Sequence, residues 1–187
     1  MSTATTGTVA TLADLARIDA KAELVDGRII PIMPTGEWPG RVAARISNSL
    51  DGHATQARRG LALFDGVGCS VPRLTSGRES FCPDAAYYDH LLPSRRMRFV
   101  VGPPTLAVEV RSENDYGPAA ERAMATKRAD YFQAGTLVVW DVDPEADRIQ
   151  AYRREAPDRP VTFTRGEVAE AEPAVPGWRV AVDDLFA

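Results

Sequence analysis

The chain has 187 residues and a net charge of −4, because 22 lysines and arginines face 26 aspartates and glutamates. This acidic balance argues against a dedicated high-affinity binder of duplex DNA, since neutralised phosphates supply most of the non-specific affinity for nucleic acids. No apolar run approaches the roughly 18 residues that would cross a bilayer, and the N-terminus lacks the basic and apolar regions of a signal peptide. A cytoplasmic protein with no membrane partner is therefore expected.

The first part of the chain is predicted to form a disordered start, one hairpin and two helices. Residues 1–10 are rich in threonine, alanine and glycine and are expected to be disordered. Residues 11–20 indicate a short helix. Residues 23–32 indicate a β-hairpin, because Asp26-Gly27 is a strong two-residue turn signal. A longer helix is predicted from Gly40 to about Ala54.

The rest of the chain alternates between strands and one further helix. The helix is predicted from Pro118 to Ala134, with Gly135 as a C-terminal cap. The apolar run 137–142 is typical of a strand that is covered on both faces. The other predicted strands lie near residues 61–65, 67–72, 82–88, 105–111, 148–153, 161–164 and 178–182. This order predicts a single domain over residues 11–187, of the α/β class with α+β character, in which helices flank a mixed β-sheet.

Two isolated acidic residues, Asp84 and Glu109, stand in apolar segments that are predicted to be neighbouring buried strands. Burying a carboxylate costs several kcal/mol unless a cation or hydrogen bonds compensate it. The pair therefore predicts a shared cation. Along residues 105–111 apolar and polar side chains alternate, so Glu109 and Arg111 are expected to share a face, as a metal ligand and a phosphate-facing cation would. The alternative for Glu109 is an internal salt bridge with Arg111 or Lys127.

Lys127 is the third unusual residue. On its predicted helix it falls within the inward stripe that Ala120, Met124 and Tyr131 form. Only two of the 22 cationic residues are lysines, which indicates that a compact ammonium is needed at this position. The alternative is a lysine that lies along the sheet edge with its ammonium in solvent. The acids and the helix lysine together predict a site for phosphodiester chemistry.

Several short segments stand in an order that is typical of one nuclease family. They are Glu23-Leu24-Val25-Asp26-Gly27, Met33-Pro34-Thr35-Gly36, Pro83-Asp84, Val108-Glu109-Val110-Arg111-Ser112, Lys127 with Tyr131 and Gly135, Val139-Trp140-Asp141-Val142-Asp143-Pro144, and Pro176-Gly177-Trp178 with Leu185-Phe186. In this order, over roughly residues 12–187, the chain resembles the Uma-two-type restriction endonucleases, a bacterial family within the PD-(D/E)XK nuclease superfamily. The resemblance implies a restriction-endonuclease-like fold.

The resemblance also implies a Mg²⁺-dependent endonuclease that acts on DNA, with Mn²⁺ able to substitute for Mg²⁺. Asp84 and Glu109 match the family's catalytic, metal-binding acids, and Glu23 matches an acid that reaches the metal. Arg111 occupies the position where the motif has a lysine. Lys127 is therefore expected to replace that lysine in catalysis, while Arg111 contacts the phosphate. The histidine that the family carries at the start of its first long helix is absent.

These departures also favour a second hypothesis, a catalytically impaired nuclease-fold protein that binds nucleic acid or a protein partner. A small-phosphate hydrolase is a third class, but no glycine-rich phosphate loop supports it. For cleavage of duplex DNA a homodimer is expected, because a two-fold dimer matches the symmetry of the duplex. Its candidate surfaces are residues 175–186 and the hairpin near residues 24–32. The densest cationic run, Arg95-Arg96-Met97-Arg98, is interpreted as a solvated loop.

Overall fold

The computed structural model of the chain describes residues 9–90 and 97–187. Disorder is predicted for residues 1–10, of which residues 1–8 lie outside the described residues, as do Arg95 and Arg96 of the cationic run. Ala10 is described, and its backbone N–H donates to the carbonyl of Gly27 at 2.9 Å. The helices are α1 (Leu12–Leu15), α2 (Glu37–Ala57), α3 (Pro118–Ala134) and α4 (Val182–Leu185). The strands are β1 (Ala22–Val25), β2 (Arg28–Pro31), β3 (Leu61–Phe64), β4 (Cys69–Ser70), β5 (Ser80–Phe81), β6 (Ala85–Tyr88), β7 (Val100–Val101), β8 (Leu106–Val110), β9 (Val138–Asp143), β10 (Arg148–Arg153), β11 (Ala156–Thr164), β12 (Val168–Glu170) and β13 (Arg179–Ala181).

A six-stranded mixed sheet in the order β11-β10-β9-β8-β6-β3 forms the centre of the fold. Strands β8 and β9 run parallel, and each of the other neighbouring pairs in this sheet is antiparallel. The parallel pair is joined through α3, because two parallel strands need a crossover that a short hairpin cannot provide. The predicted mixed sheet with flanking helices is confirmed.

Helix α2 covers one face of this sheet and closes the larger core. Its residues Val42, Ile46 and Leu50 recur every four positions, which places them on one side of the helix. All three are fully buried, in one cluster with Val108 and Trp140 of the sheet. Deleting such side chains typically costs 2–5 kcal/mol each, so this apolar stripe holds α2 on the sheet.

The C-terminal segment completes the same core, and this corrects one prediction. Val175 and Val182 are fully buried, and Trp178 packs on Trp140 with ring centroids 4.9 Å apart. Because these side chains are covered within one chain, residues 175–186 are not available as a homodimer surface. The sequence pattern identified them as apolar, but an apolar pattern does not distinguish burial within a chain from burial between two chains.

Helix α3 lies on the opposite face of the sheet. Its Tyr131 stacks on Phe81 with ring centroids 4.0 Å apart, and both rings belong to a second buried cluster that includes Ala107 of β8. The even-numbered residues of β8 lie in the α2 core, whereas Ala107 faces α3. The predicted alternation along β8 is therefore confirmed, and it directs Glu109 to the α3 face.

Turn residues and prolines mark the turns and helix ends of the chain. The hairpin β1–β2 is confirmed, with Asp26 and Gly27 at φ values of 48° and 66°, the left-handed region that its tight turn requires. Helix α2 begins at Glu37, earlier than predicted, because a proline such as Pro39 is tolerated in the first helical turn. None of the helices within the described ranges is long and apolar enough to cross a membrane.

Candidate active site

A cleft of about 730 Å³ opens at one end of the central sheet, between α3 and the segments that flank the hairpin β1–β2. All four residues predicted to be catalytic, Asp84, Glu109, Arg111 and Lys127, line it. The charged lining is balanced, because five acids face five bases: Asp65, Asp84, Glu109, Asp115 and Asp141, and Lys21, Arg78, Arg111, Lys127 and Arg128.

Four of these acids lie side by side at the same end of four adjacent strands. Asp65 follows β3 and Asp84 precedes β6, at the point where these two antiparallel strands pair. Glu109 lies near the end of β8, the next strand of the sheet, and pairs in register with Asp141 of β9. We name Asp65, Asp84, Glu109 and Asp141 the acidic row. Neighbouring strands are about 4.8 Å apart, so the acids of the row are near neighbours.

Asp84 is fixed beside β8 by its own side chain. Its Oδ2 atom accepts a hydrogen bond of 2.8 Å from the backbone N–H of Val110, and its Oδ1 atom accepts one of 3.1 Å from Lys21. The side chain remains 22% exposed to the cleft. The structure therefore brings Asp84 and Glu109 to one face of the sheet, as the sequence predicts.

Both carboxylate oxygens of Glu109 accept hydrogen bonds from α3. Lys127 Nζ donates to Oε2 at 2.8 Å, and the hydroxyl of Tyr131 donates to Oε1 at 2.7 Å. Lys127 and Tyr131 are one helical turn apart, so one face of α3 presents both donors. The salt bridge between Glu109 and Lys127, given above as the alternative for Glu109, is thus present, and it lies inside the cleft.

The protonation of Glu109 is finely balanced by its surroundings. The pKa of Glu109 is raised to about 7: burial raises it most, the ammonium of Lys127 lowers it, and the neighbouring carboxylates of Asp84 and Glu23 raise it. Burial alone would lower the pKa of Lys127, but Glu109 and Glu23 outweigh burial, so that the pKa is raised and the lysine is charged at neutral pH. A carboxyl group that titrates near neutrality is typical of functional sites.

Replacing Glu109 with glutamine is expected to leave the metal-free protein as stable at neutral pH, or more stable. The folded-state pKa of about 7 exceeds the ordinary value of 4.5, so the wild type loses stability as the pH rises through this window. Relative to E109Q, that loss is expected to be on the order of 1–3 kcal/mol. Thermal unfolding of both proteins from pH 4 to 8 measures it. A clearly lower melting temperature for E109Q at pH 7 would instead assign Glu109 a structural role.

Arg111 is engaged by two carboxylates and is only 4% exposed. Its Nε and Nη2 atoms donate to the two oxygens of Asp141 at 2.7 and 2.9 Å. Its Nη1 and Nη2 atoms also donate to Glu121, the latter at 3.1 Å. The sequence predicts a free guanidinium that contacts phosphate, whereas in the structure this group is part of a buried ion-pair network. Arg128 Nη1 approaches Asp141 at 3.3 Å and completes the network.

Glu23 is buried behind the cleft wall and is 5% exposed. It contacts Lys127 Nζ at 3.0 Å, accepts a hydrogen bond of 3.0 Å from the backbone N–H of Cys82, and pairs with Arg78. Burial alone would raise the pKa of Glu23, but Lys127 and Arg78 outweigh it and lower the pKa. These contacts suit a residue that positions Lys127. The role of Glu23 as a metal ligand stays a prediction.

The structure adds two residues that the sequence analysis did not place in the site, Lys21 and Asp65. Lys21 Nζ donates to Asp65 and to Asp84, and it bridges the two acids at the β3–β6 end of the acidic row. Burial alone would lower the pKa of Lys21, but Asp84 and Asp65 outweigh burial and raise it. The scarcity of lysine could have identified Lys21, because both lysines of the chain line the cleft.

The donor atoms of the acidic row suit a hard divalent cation, which prefers oxygen ligands. Mg²⁺ is usually held by one or two carboxylates, while water and substrate phosphates complete its coordination. Within residues 9–90 and 97–187, no group of three or more His, Cys, Asp or Glu side chains is arranged to hold a metal. The role of Asp84 and Glu109 as metal ligands stays a prediction.

The relationship of the chain to known proteins agrees with this geometry. Its fold is similar to that in the crystal structure of a putative nuclease belonging to DUF820 from Anabaena variabilis, with a TM-score of 0.72 and 18% identity over 94% of this chain and 97% of that chain. No curated protein matches the chain. A family model, Uma2, described as "Putative restriction endonuclease", matches residues 9–183. Because this match spans nearly the whole sequence, the chain belongs to the Uma2 family, as the resemblance of its motifs implies.

Proposed function

We propose that the chain is a metal-dependent endonuclease that hydrolyses phosphodiester bonds of DNA. The observation that carries the proposal is the meeting of Asp84, Glu109 and Lys127 in one cleft at the end of the sheet. Membership of a family described by restriction endonuclease activity supports DNA as the substrate. Such a substrate also agrees with the expected cytoplasmic location.

In this proposal the two central acids hold the ion, and α3 supplies the groups that orient the attacking water and fix Glu109. Asp84 and Glu109 would bind Mg²⁺ or Mn²⁺, which when bound lowers the pKa of a coordinated water and polarises the phosphate. The ammonium of Lys127, 2.8 Å from Glu109, lies where it can orient a water molecule toward the phosphate. Tyr131 holds the other oxygen of Glu109 at 2.7 Å and so limits the rotation of the carboxylate.

Arg111 receives a different role in the proposal from the one that its sequence position suggests. Its guanidinium already makes four hydrogen bonds to Asp141 and Glu121. Contact with a phosphate would require at least one of these carboxylates to move. We therefore assign Arg111 to the support of the cleft wall, beside the strand that carries Glu109.

The second candidate function is a nuclease-fold protein that binds nucleic acid or a protein partner without cutting DNA. The pairing of the cationic side chains favours the version with a protein partner, because carboxylates in the cleft or behind its wall contact each of Lys21, Arg78, Arg111, Lys127 and Arg128. Phosphate binding gains most from cations that are not already neutralised. A metal-dependent enzyme resolves this conflict, since a bound cation adds positive charge to the cleft.

Incubation of the purified protein with plasmid and single-stranded DNA tests the proposal. Cleavage is expected with Mg²⁺ or Mn²⁺ and not with chelator alone. The variants E109Q and D84N are the controls against a contaminating nuclease, and both are expected to lose cleavage while they remain folded. Equal cleavage by wild type and both variants would overturn the assignment of the acids. Absence of wild-type cleavage with both metals and both substrates would favour the binding protein.

A homodimer is part of the proposal only for cleavage of duplex DNA. Since the large apolar side chains of residues 175–186 are buried within the chain, the hairpin near residues 24–32 is the remaining candidate surface. Ile30 on this hairpin is 45% exposed, and Met33 just beyond it is 76% exposed. Light scattering at micromolar concentration separates the cases, because a monomer would restrict the proposed chemistry to nicking or to single strands.

A further inference from the structure

The two lysines of the chain occupy equivalent positions in the cleft. Lys127 Nζ lies between Glu109 and Glu23, at 2.8 and 3.0 Å, and Lys21 Nζ lies between Asp84 and Asp65. The other 20 cationic residues are arginines. Lysine and arginine differ in how firmly they hold a carboxylate, because the guanidinium forms a rigid fork whereas the ammonium is a mobile point charge. The acids that meet the lysines can therefore exchange their counter-ion more readily.

Lys21 occupies the open coordination position of Asp84. One oxygen of Asp84, Oδ2, is bound by the backbone N–H of Val110 at 2.8 Å. The other oxygen, Oδ1, accepts from Lys21 at 3.1 Å. A cation that binds Oδ1 of Asp84 must therefore displace the ammonium of Lys21 or share this oxygen with it.

Asp65 gives the displaced ammonium a second partner. Its side chain is 50% exposed, at the mouth of the cleft, whereas that of Asp84 is 22% exposed. Lys21 itself is 21% exposed and reaches the cleft from the segment before β1. A small rotation of the lysine side chain would thus move its charge from Asp84 toward Asp65 without loss of an acidic partner.

We propose that Lys21 is an exchangeable counter-ion, which neutralises Asp84 in the metal-free protein, yields Oδ1 to a divalent cation, and then contacts the substrate phosphate while Asp65 holds it. The last step rests on the proposed endonuclease function, whereas the exchange at Asp84 does not. Before the metal enters, the ammonium of Lys21 reduces the repulsion between the carboxylates of Asp84 and Glu109. The same ammonium lowers the affinity of the site for the metal, because it competes with the metal for Oδ1 of Asp84.

Removal of Lys21 should therefore tighten metal binding and weaken cleavage. Titration calorimetry with Mn²⁺ alone is expected to give about tenfold tighter binding to K21M than to the wild type, a difference of about 1.4 kcal/mol. K21Q, which keeps a polar side chain without the charge, is expected to behave as K21M does. R73M is the matched control, since Arg73 pairs with Asp26 at 2.7 Å and is not among the residues that line the cleft. R73M should bind Mn²⁺ as the wild type does.

Thermal unfolding first establishes that both Lys21 variants are folded. Unchanged or weaker Mn²⁺ binding by folded K21M and K21Q would overturn the proposal, as would the absence of Mn²⁺ binding in every protein tested. Cleavage by K21M is expected to fall at least about tenfold, although its metal site fills more readily. If the wild type cuts no DNA, the endonuclease function fails, and the Mn²⁺ titration still decides whether the exchange at Asp84 takes place.

Discussion

Replacing Lys127 with alanine is expected to abolish metal-dependent cleavage and to leave the metal site intact. A preorganised hydrogen-bond donor contributes about 10²–10³-fold to rate, so activity should fall by at least about 100-fold. Metal binding should survive, because Asp84 and Glu109 are unchanged. Glu109 keeps the hydrogen bond from Tyr131 at 2.7 Å in this variant. Cleavage assays and Mn²⁺ titration of the same preparation measure the two properties separately.

Two further substitutions, K127R and R122A, serve as controls for the Lys127 experiment. K127R keeps the charge but is expected to restore little activity, since the guanidinium is larger and planar and cannot take the position of the compact ammonium. R122A removes a cation from the exposed side of α3 and should cut DNA as the wild type does. Equal cleavage by wild type, K127A and K127R would remove Lys127 from the mechanism.

Replacing Arg111 with methionine is expected to be the most destabilising single change in the cleft. It would leave the carboxylate of Asp141, which is 1% exposed, with Arg128 as its remaining ion-pair partner at 3.3 Å. Breaking a buried ion pair from one side costs about 3–5 kcal/mol, because the other charge remains buried and poorly compensated. Chemical denaturation of R111M and the wild type measures this difference.

The controls for R111M separate stability from catalysis. R17M removes an exposed ion pair with Asp14 and should change the stability by less than about 1 kcal/mol. The double variant R111M/D141L replaces both partners and should recover much of the lost stability, since a buried pair can often be exchanged for apolar residues. A folded R111M that keeps wild-type stability but loses cleavage would return Arg111 to the phosphate-contacting role.

The elements with strong periodic patterns could be predicted from the sequence. Helix α3 has the predicted bounds, because Pro118 begins it and Gly135 ends it with a left-handed backbone. The alternation along β8 is also confirmed, and it assigned Glu109 to the correct face. Strand β12 was not predicted, because its three residues are too few to show a period. Short strands of this kind form through pairing with a distant partner and not through local preference.

The site could be predicted only where a charge interrupts an apolar pattern. Asp84, Glu109 and Lys127 have this feature, and the structure places all three in the cleft. Asp65 does not, because it follows a strand and is half exposed. Lys21 meets Asp84 across 63 residues of sequence, a contact that no local pattern reports.

The sequence carries a signal for the ion pair of Arg111 with Asp141, namely an acid within an apolar strand. Asp141 interrupts the apolar run 137–142 in the same manner as Glu109 interrupts its own strand. Because β8 and β9 are parallel neighbours, an acid in the second strand can neutralise a base at the end of the first. Pairing every buried acid with a candidate base would have shown that Arg111 is not free.

The crossover between β8 and β9 has a consequence for a chain that is still being synthesised. Asp65, Asp84 and Glu109 leave the ribosome before α3, which carries Lys127, and before β9, which carries Asp141. Strands β8 and β9 can pair only after the crossover that carries α3 and β9 itself have been synthesised, and such non-local pairing is slow compared with helix formation. An unfinished chain therefore contains Asp65, Asp84 and Glu109 but lacks α3 and β9, which complete the cleft. Ribosome-bound intermediates should be inert toward DNA until the crossover closes.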